Sequence, residues 1–137
     1  MKKLYLTLIF IFTGLARADE LAEFAKIEHF SVGPTGFGGE ISRGEILFIK
    51  LYQKKTNLEE FIKLYGIGNN QAKMYSLVAF RKLAPDVYAH LKINYAEVEV
   101  FVDTLFYCDG GADKLSVLVK RLEFGADDKL YNEKTKQ

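Results

Sequence analysis

The sequence predicts one mainly α domain built from short helical hairpins, with a small β element near residues 97–107. Three observations carry this. Helix-capping residues stand at the head of successive amphipathic windows: Ser42-Arg43-Gly44-Glu45, Asn57 before Leu58-Glu59-Glu60, and Asn70 before Gln71-Ala72. Side-chain oxygens of Ser and Asn at such positions accept from otherwise orphaned first-turn amides. Apolar residues then recur at helical spacing as far as Tyr95. After Tyr95 the period changes to two, in Glu97-Val98-Glu99-Val100-Phe101-Val102-Asp103.

The chain opens with Lys2-Lys3, a 12-residue apolar run from Leu4 to Leu15, and Ala16-Arg17-Ala18. A charged start, a short apolar stretch and small residues at the cleavage positions are the marks of a secretory leader. The run is well short of the roughly 20 residues that span a bilayer. Residues 1–18 therefore read as a signal peptide cleaved near Ala18, residues 19–125 as the domain, and residues 126–137 as a polar, frayed tail. Periplasmic or secreted localisation follows, with membrane contact only during export.

Within the domain, Ala22 to Phe30 reads as a short helix, followed by the glycine-rich stretch Gly33 to Gly39. The capping box at Ser42 starts a helix to about Gln53. Asn57 caps the next, which stops near Tyr65 at Gly66 and Gly68. Phe48-Ile49-Lys50-Leu51-Tyr52 recurs unchanged as Phe61-Ile62-Lys63-Leu64-Tyr65. That echo is too close for a solenoid repeat but suits two successive helices presenting similar faces. Asn70 caps a third helix through Leu83, and Pro85 sits where proline suits the first turn of a fourth, through Leu91. The strand from Glu97 extends toward Tyr107 before Asp109-Gly110-Gly111 turns the chain. Leu115, Leu118, Val119 and Leu122 then mark a last helix, with Asp113 as its cap and Gly125 as its stop.

Composition narrows the function. Without Lys2, Lys3 and Arg17 the chain carries 16 basic and 18 acidic residues, a formal charge of −2. A mildly acidic chain without a basic block has little with which to neutralise phosphates, so nucleic acid is excluded as a partner. With 11 Phe and 8 Tyr in the whole chain, a stable core needs no disulfide. Cys108 is the one cysteine, and burial is the expectation for it, since free thiols are usually buried; the alternative is pairing with another chain.

No catalytic constellation stands out. The glycine stretch lacks the Gly-Lys-Ser/Thr of a phosphate loop and a preceding strand. Its plain reading is a tight loop around Phe37, whose ring plugs the core; if functional, the amides near Gly38, Gly39 and Arg43 would hold a carboxylate or other anion. Asp86 and His90 share a helical face but no further ligand completes a metal shell. Neither a metal nor another cofactor is expected. The serines lack a nucleophile elbow. Glu45 with Glu28 or Glu40 is the carboxylate set a hydrolase would use. Lys73 and Tyr75 read as a solvated helical face that could reach a partner.

Gly36-Phe37-Gly38-Gly39, Ser42-x-Gly44-Glu45 and Ala72-Lys73-Met74-Tyr75-Ser76-Leu77, with Cys108 further on, resemble a pattern in small exported bacterial proteins of unknown function. The resemblance spans roughly residues 30–125 and implies a helical, HEAT-like domain with an export signal, and no activity. Size, export and helicity are also similar to those of periplasmic immunity proteins. The function expected is an exported, non-catalytic binding protein, toxin-neutralising or envelope-interacting, whose partner is another protein. Its expected contacts are Gly36, Phe37, Gly38, Gly39, Arg43 and Glu45, with Lys73 and Tyr75. The alternative is an envelope hydrolase using clustered carboxylates. A homodimer through a strand edge near Val98 to Val102 is a third reading, since unpaired edges invite pairing.

Overall fold

A computed structural model describes residues 18–106, 108–125 and 128. The expected leader upstream of Ala18, Tyr107 and nearly all of the expected tail lie outside them. Among the described residues the fold is mainly α, six helices with one two-stranded antiparallel sheet. Helix α1 covers residues 18–25. It is followed by α2 (Arg43–Tyr52), α3 (Asn57–Ile67), α4 (Asn70–Leu83), α5 (Pro85–Tyr95), β1 (Phe101–Phe106), β2 (Asp109–Lys114) and α6 (Leu115–Glu123).

Helix α4 is the axis of the molecule. Gln71, Ala72 and every residue from Met74 to Phe80 are buried, because α3, α5 and β1 all pack against it. A helix enclosed on most sides needs apolar or small residues round most of its circumference, and Ala72, Ser76 and Ala79 supply the small ones. Ser76 has no solvent to meet, and its hydroxyl donates to the Ala72 carbonyl at 3.0 Å. The pentapeptide echo is also explained. Phe48 and Phe61, its first residues, are both fully buried, with ring centroids 5.3 Å apart. Leu51 and Leu64 are buried likewise, so α2 and α3 turn the same face to one core.

Helix α4 is capped by Asn69, one residue before the Asn70 expected from the sequence. Asn69 Oδ1 accepts from Ala72 N at 2.9 Å, and Nδ2 donates to the Ile27 carbonyl at 2.8 Å. Asn70 instead donates to the Phe101 carbonyl. Asn69→Ala removes a cap and a tie to the segment after α1 together. It is expected to cost about 1–2 kcal/mol, seen as a lower urea midpoint at unchanged slope.

The β element differs from expectation in position and partner. Glu97 to Val100 is not strand, and Asp109-Gly110-Gly111 is not the turn; it lies within β2. β1 and β2 pair in the register Phe101↔Lys114 to Phe106↔Asp109. Asp113, expected as the α6 cap, sits in β2 and accepts from Thr104 Oγ1 and Arg121. Period-two alternation marked β1, but glycine-rich β2 has almost no side chains from which to read a period. Cys108 is exposed rather than buried, in the connection between the two strands.

Candidate functional site

The capping box forms as expected and does more than cap. Ser42 Oγ accepts from Glu45 N at 3.2 Å, and Glu45 Oε2 accepts from Ser42 N at 3.3 Å and from Ser42 Oγ at 3.2 Å. Its other oxygen, Oε1, accepts from Gly33 N at 2.7 Å. Glu45 is buried, so one carboxylate ties the start of the glycine stretch to the start of α2. The amides that Glu45 holds are those of Gly33 and Ser42, not those near Gly38, Gly39 and Arg43 named for an external anion.

A second tie reaches the same place from α4. Tyr75 is fully buried, its ring centroid 5.3 Å from that of Phe24, 4.7 Å from Phe30 and 6.0 Å from Phe48. Its hydroxyl donates to the Ser31 carbonyl at 3.0 Å and accepts from Ser31 N at 3.1 Å. Ser31 Oγ in turn donates to Ser42 Oγ. Tyr75 is therefore a core residue and not part of a partner-facing surface, which corrects the expectation for the Lys73/Tyr75 face. Lys73 beside it is half-buried. Burial pushes the Tyr75 hydroxyl up to about 12, against the opposing effect of its bonds to Ser31 and Ser42.

Between these ties and α2 the glycine stretch forms a small hairpin. Thr35 N donates to the Glu40 carbonyl at 2.8 Å and Glu40 N to the Thr35 carbonyl at 2.9 Å. Gly36 and Gly39 lie at φ of 69° and 66°, a region in which a Cβ is strained. Phe37 stands at the tip with its side chain wholly in solvent, at 103% relative exposure. The core-plug reading of Phe37 is overturned: two positive-φ glycines turn the chain so that the ring points away from the core.

Beside this hairpin lies an open cleft of about 420 Å³. Its walls include Ile27, His29, Ile41, Ser42, Arg43 and Leu105, with Glu28 and Glu40 at its rim. Residues 28 and 29 lie beyond the end of α1, so both face the cleft instead of opposite sides of a helix. Arg43 is exposed and held by a bidentate pair with Glu23, Nε–Oε1 2.6 Å and Nη2–Oε2 2.7 Å. That guanidinium holds the Glu23 carboxyl below its ordinary range. The sequence had separated these parts; nothing in its spacing joins Ser31 to Tyr75, 44 residues away, or Leu105 to Ile41.

Gly36, Phe37, Gly38, Gly39 and Arg43 are thus all exposed, Glu45 is a buried brace at the start of α2, and Tyr75 lies in the core with Lys73 half-buried beside it. Asp86 and His90 are both exposed on α5. Among the described residues no group of three or more His, Cys, Asp or Glu is arranged to hold a metal ion, and no helix is long and apolar enough to cross a membrane. No protein-family model, curated protein or solved structure matches this chain.

Proposed function

We propose that the chain is an exported, periplasmic binding protein that grips a protein partner through the Phe37 hairpin and the adjoining cleft. The observation that carries this is a fully exposed Phe on a braced base. An aromatic side chain in water costs free energy that burial in a partner recovers. Aromatic anchors also dominate interface energetics. The hairpin enters such a contact already ordered at its base, which lowers the entropy of docking. Arg43 and Glu40 at the cleft supply polar contacts around the aromatic centre, as an interface rim does. Neutralising a toxin is one use of such a surface.

The hydrolase alternative is weaker, because both Glu45 oxygens are engaged in holding amides and a hydroxyl. A general acid or base needs a face open to substrate. Glu28 and Glu40 remain exposed at the cleft.

Phe37→Ser tests the binding reading. The ring touches no core, so stability is expected to stay within about 0.5 kcal/mol of the parent. Affinity capture from envelope and secreted fractions should enrich one protein with the parent chain. Its affinity for Phe37→Ser should fall by at least about 30-fold, the scale of an aromatic anchor. A partner held equally by both chains would place the contact elsewhere.

A further inference from the structure

We infer, on the binding reading above, that the partner protein meets Phe37 with an arginine side chain, whose guanidinium stacks on the exposed ring and pairs with the Glu40 carboxylate beside it. The Glu40 side chain folds back along the hairpin. A Cβ placed on Gly38 would lie 3.6 Å from Glu40 Cγ and 3.8 Å from Glu40 Oε1. The carboxylate therefore sits beside residue 38, next in the chain to Phe37, at the tip where the ring is wholly exposed. A surface broad enough to cover the ring takes water from this oxygen as well.

A carboxylate taken out of water is costly unless a cation or a set of donors meets it. Among the described residues neither the Glu40 side chain nor that of Glu28, which lines the same cleft, has an ion-pair or hydrogen-bond partner. Arg43 is the only Lys or Arg lining that cleft, and Glu23 already holds it through Nε and Nη2. The cleft thus offers two uncompensated negative charges, and the group that neutralises them on docking comes from the partner. An anionic partner would instead meet two like charges. Of the basic side chains, arginine suits both features at once. Its planar guanidinium stacks on an aromatic face while the N–H groups at its edge stay free for a carboxylate. The lysine ammonium is a point charge that holds its water more tightly. Arginine is also enriched where interface energy concentrates.

Titration of the isotopically labelled chain with three capped amino acids, followed by NMR, tests this. The probes are N-acetyl-arginine amide, N-acetyl-lysine amide and N-acetyl-norleucine amide, which differ only in the side chain presented. Capped arginine should shift the Phe37 ring protons and the Gly38 and Glu40 amides saturably, more tightly than capped lysine, and capped norleucine should not. Glu40→Gln keeps the hairpin's backbone bonds and should weaken arginine binding about threefold, the scale of one exposed ion pair. Phe37→Ser should weaken it by at least as much, and added salt should weaken it further. No saturable shift at the hairpin, lysine or norleucine binding as tightly as arginine, or affinity unchanged by Glu40→Gln or by Phe37→Ser would each overturn the proposal. The two readings fail separately. A captured protein released by Phe37→Ser but indifferent to Glu40→Gln would overturn the arginine contact and keep the aromatic anchor. A captured protein indifferent to Phe37→Ser would overturn both.

Discussion

Tyr75→Ala is expected to cost about 4 kcal/mol, a large part of the 5–15 kcal/mol that holds a domain of this size. The ring lies in contact with Phe24, Phe30 and Phe48, residues from α1, the segment after it and α2. Its removal opens a cavity where three elements meet α4. The hydroxyl adds a second loss, since Ser31 N and the Ser31 carbonyl are left without their partner in a fully buried residue. Tyr75→Phe isolates that part, at about 2 kcal/mol. Urea titrations of the three chains give both numbers. An effect of Tyr75→Phe below about 0.5 kcal/mol would mean that water or a rearranged Ser31 replaces the hydroxyl.

The same hydroxyl predicts an alkaline limb. Its folded value of about 12 stands above the ordinary tyrosine value of 10, chiefly through burial. The unfolded chain therefore loses this proton first as pH rises. Stability from this group is complete below pH 10 and declines between pH 10 and about 12, by roughly 2–3 kcal/mol in all. Burial also raises Tyr52 and Tyr65, but those groups are shared by Tyr75→Phe. The difference between parent and Tyr75→Phe should shrink across that window.

Legibility in the sequence followed the range of each interaction. Ser42 and Glu45 are three residues apart, and their capping box was readable because both partners sit in one helical turn. Pro85 marked the first residue of α5 for the same local reason. Asn69 and Asn70 show the limit: adjacent polar residues offer alternative caps, and a tertiary bond chooses between them. Asn69 is selected because its amide also reaches Ile27. The surface of the candidate site was legible in part. Glycines announced a tight turn around Phe37, but the direction of the ring depends on φ at Gly36 and Gly39, which composition does not contain. Tyr75 was misplaced because α4 is buried nearly all round. Without a polar face to set against an apolar one, periodicity carries no direction. β2 was missed because Gly110, Gly111 and Ala112 present so little side chain.

Gly44 was legible only as part of a motif, yet its substitution should have the second largest effect. It lies in the first turn of α2, where alanine would ordinarily be the better helix former by up to about 1 kcal/mol. Here a Cβ would come within 2.7 Å of Tyr75 Cε2 and 2.8 Å of Cζ, and closer still to the hydroxyl. A flexible side chain would move aside. Tyr75 is not free to do so, being packed by three phenylalanine rings and bonded at both Ser31 backbone groups. Either the ring shifts and breaks those bonds, or α2 moves off and strains the Glu45 brace on Gly33. Gly44→Ala is therefore expected to destabilise by about 2 kcal/mol, an overpacking cost that exceeds the helix-propensity gain. In the Tyr75→Phe background the nearest atom is gone but the two ring carbons remain, so relief should be partial, with a coupling of about 0.5–1 kcal/mol. Additive losses would mean that the two residues do not press on one another. A stabilised Gly44→Ala would mean that propensity, and not the approach of Tyr75, governs this position.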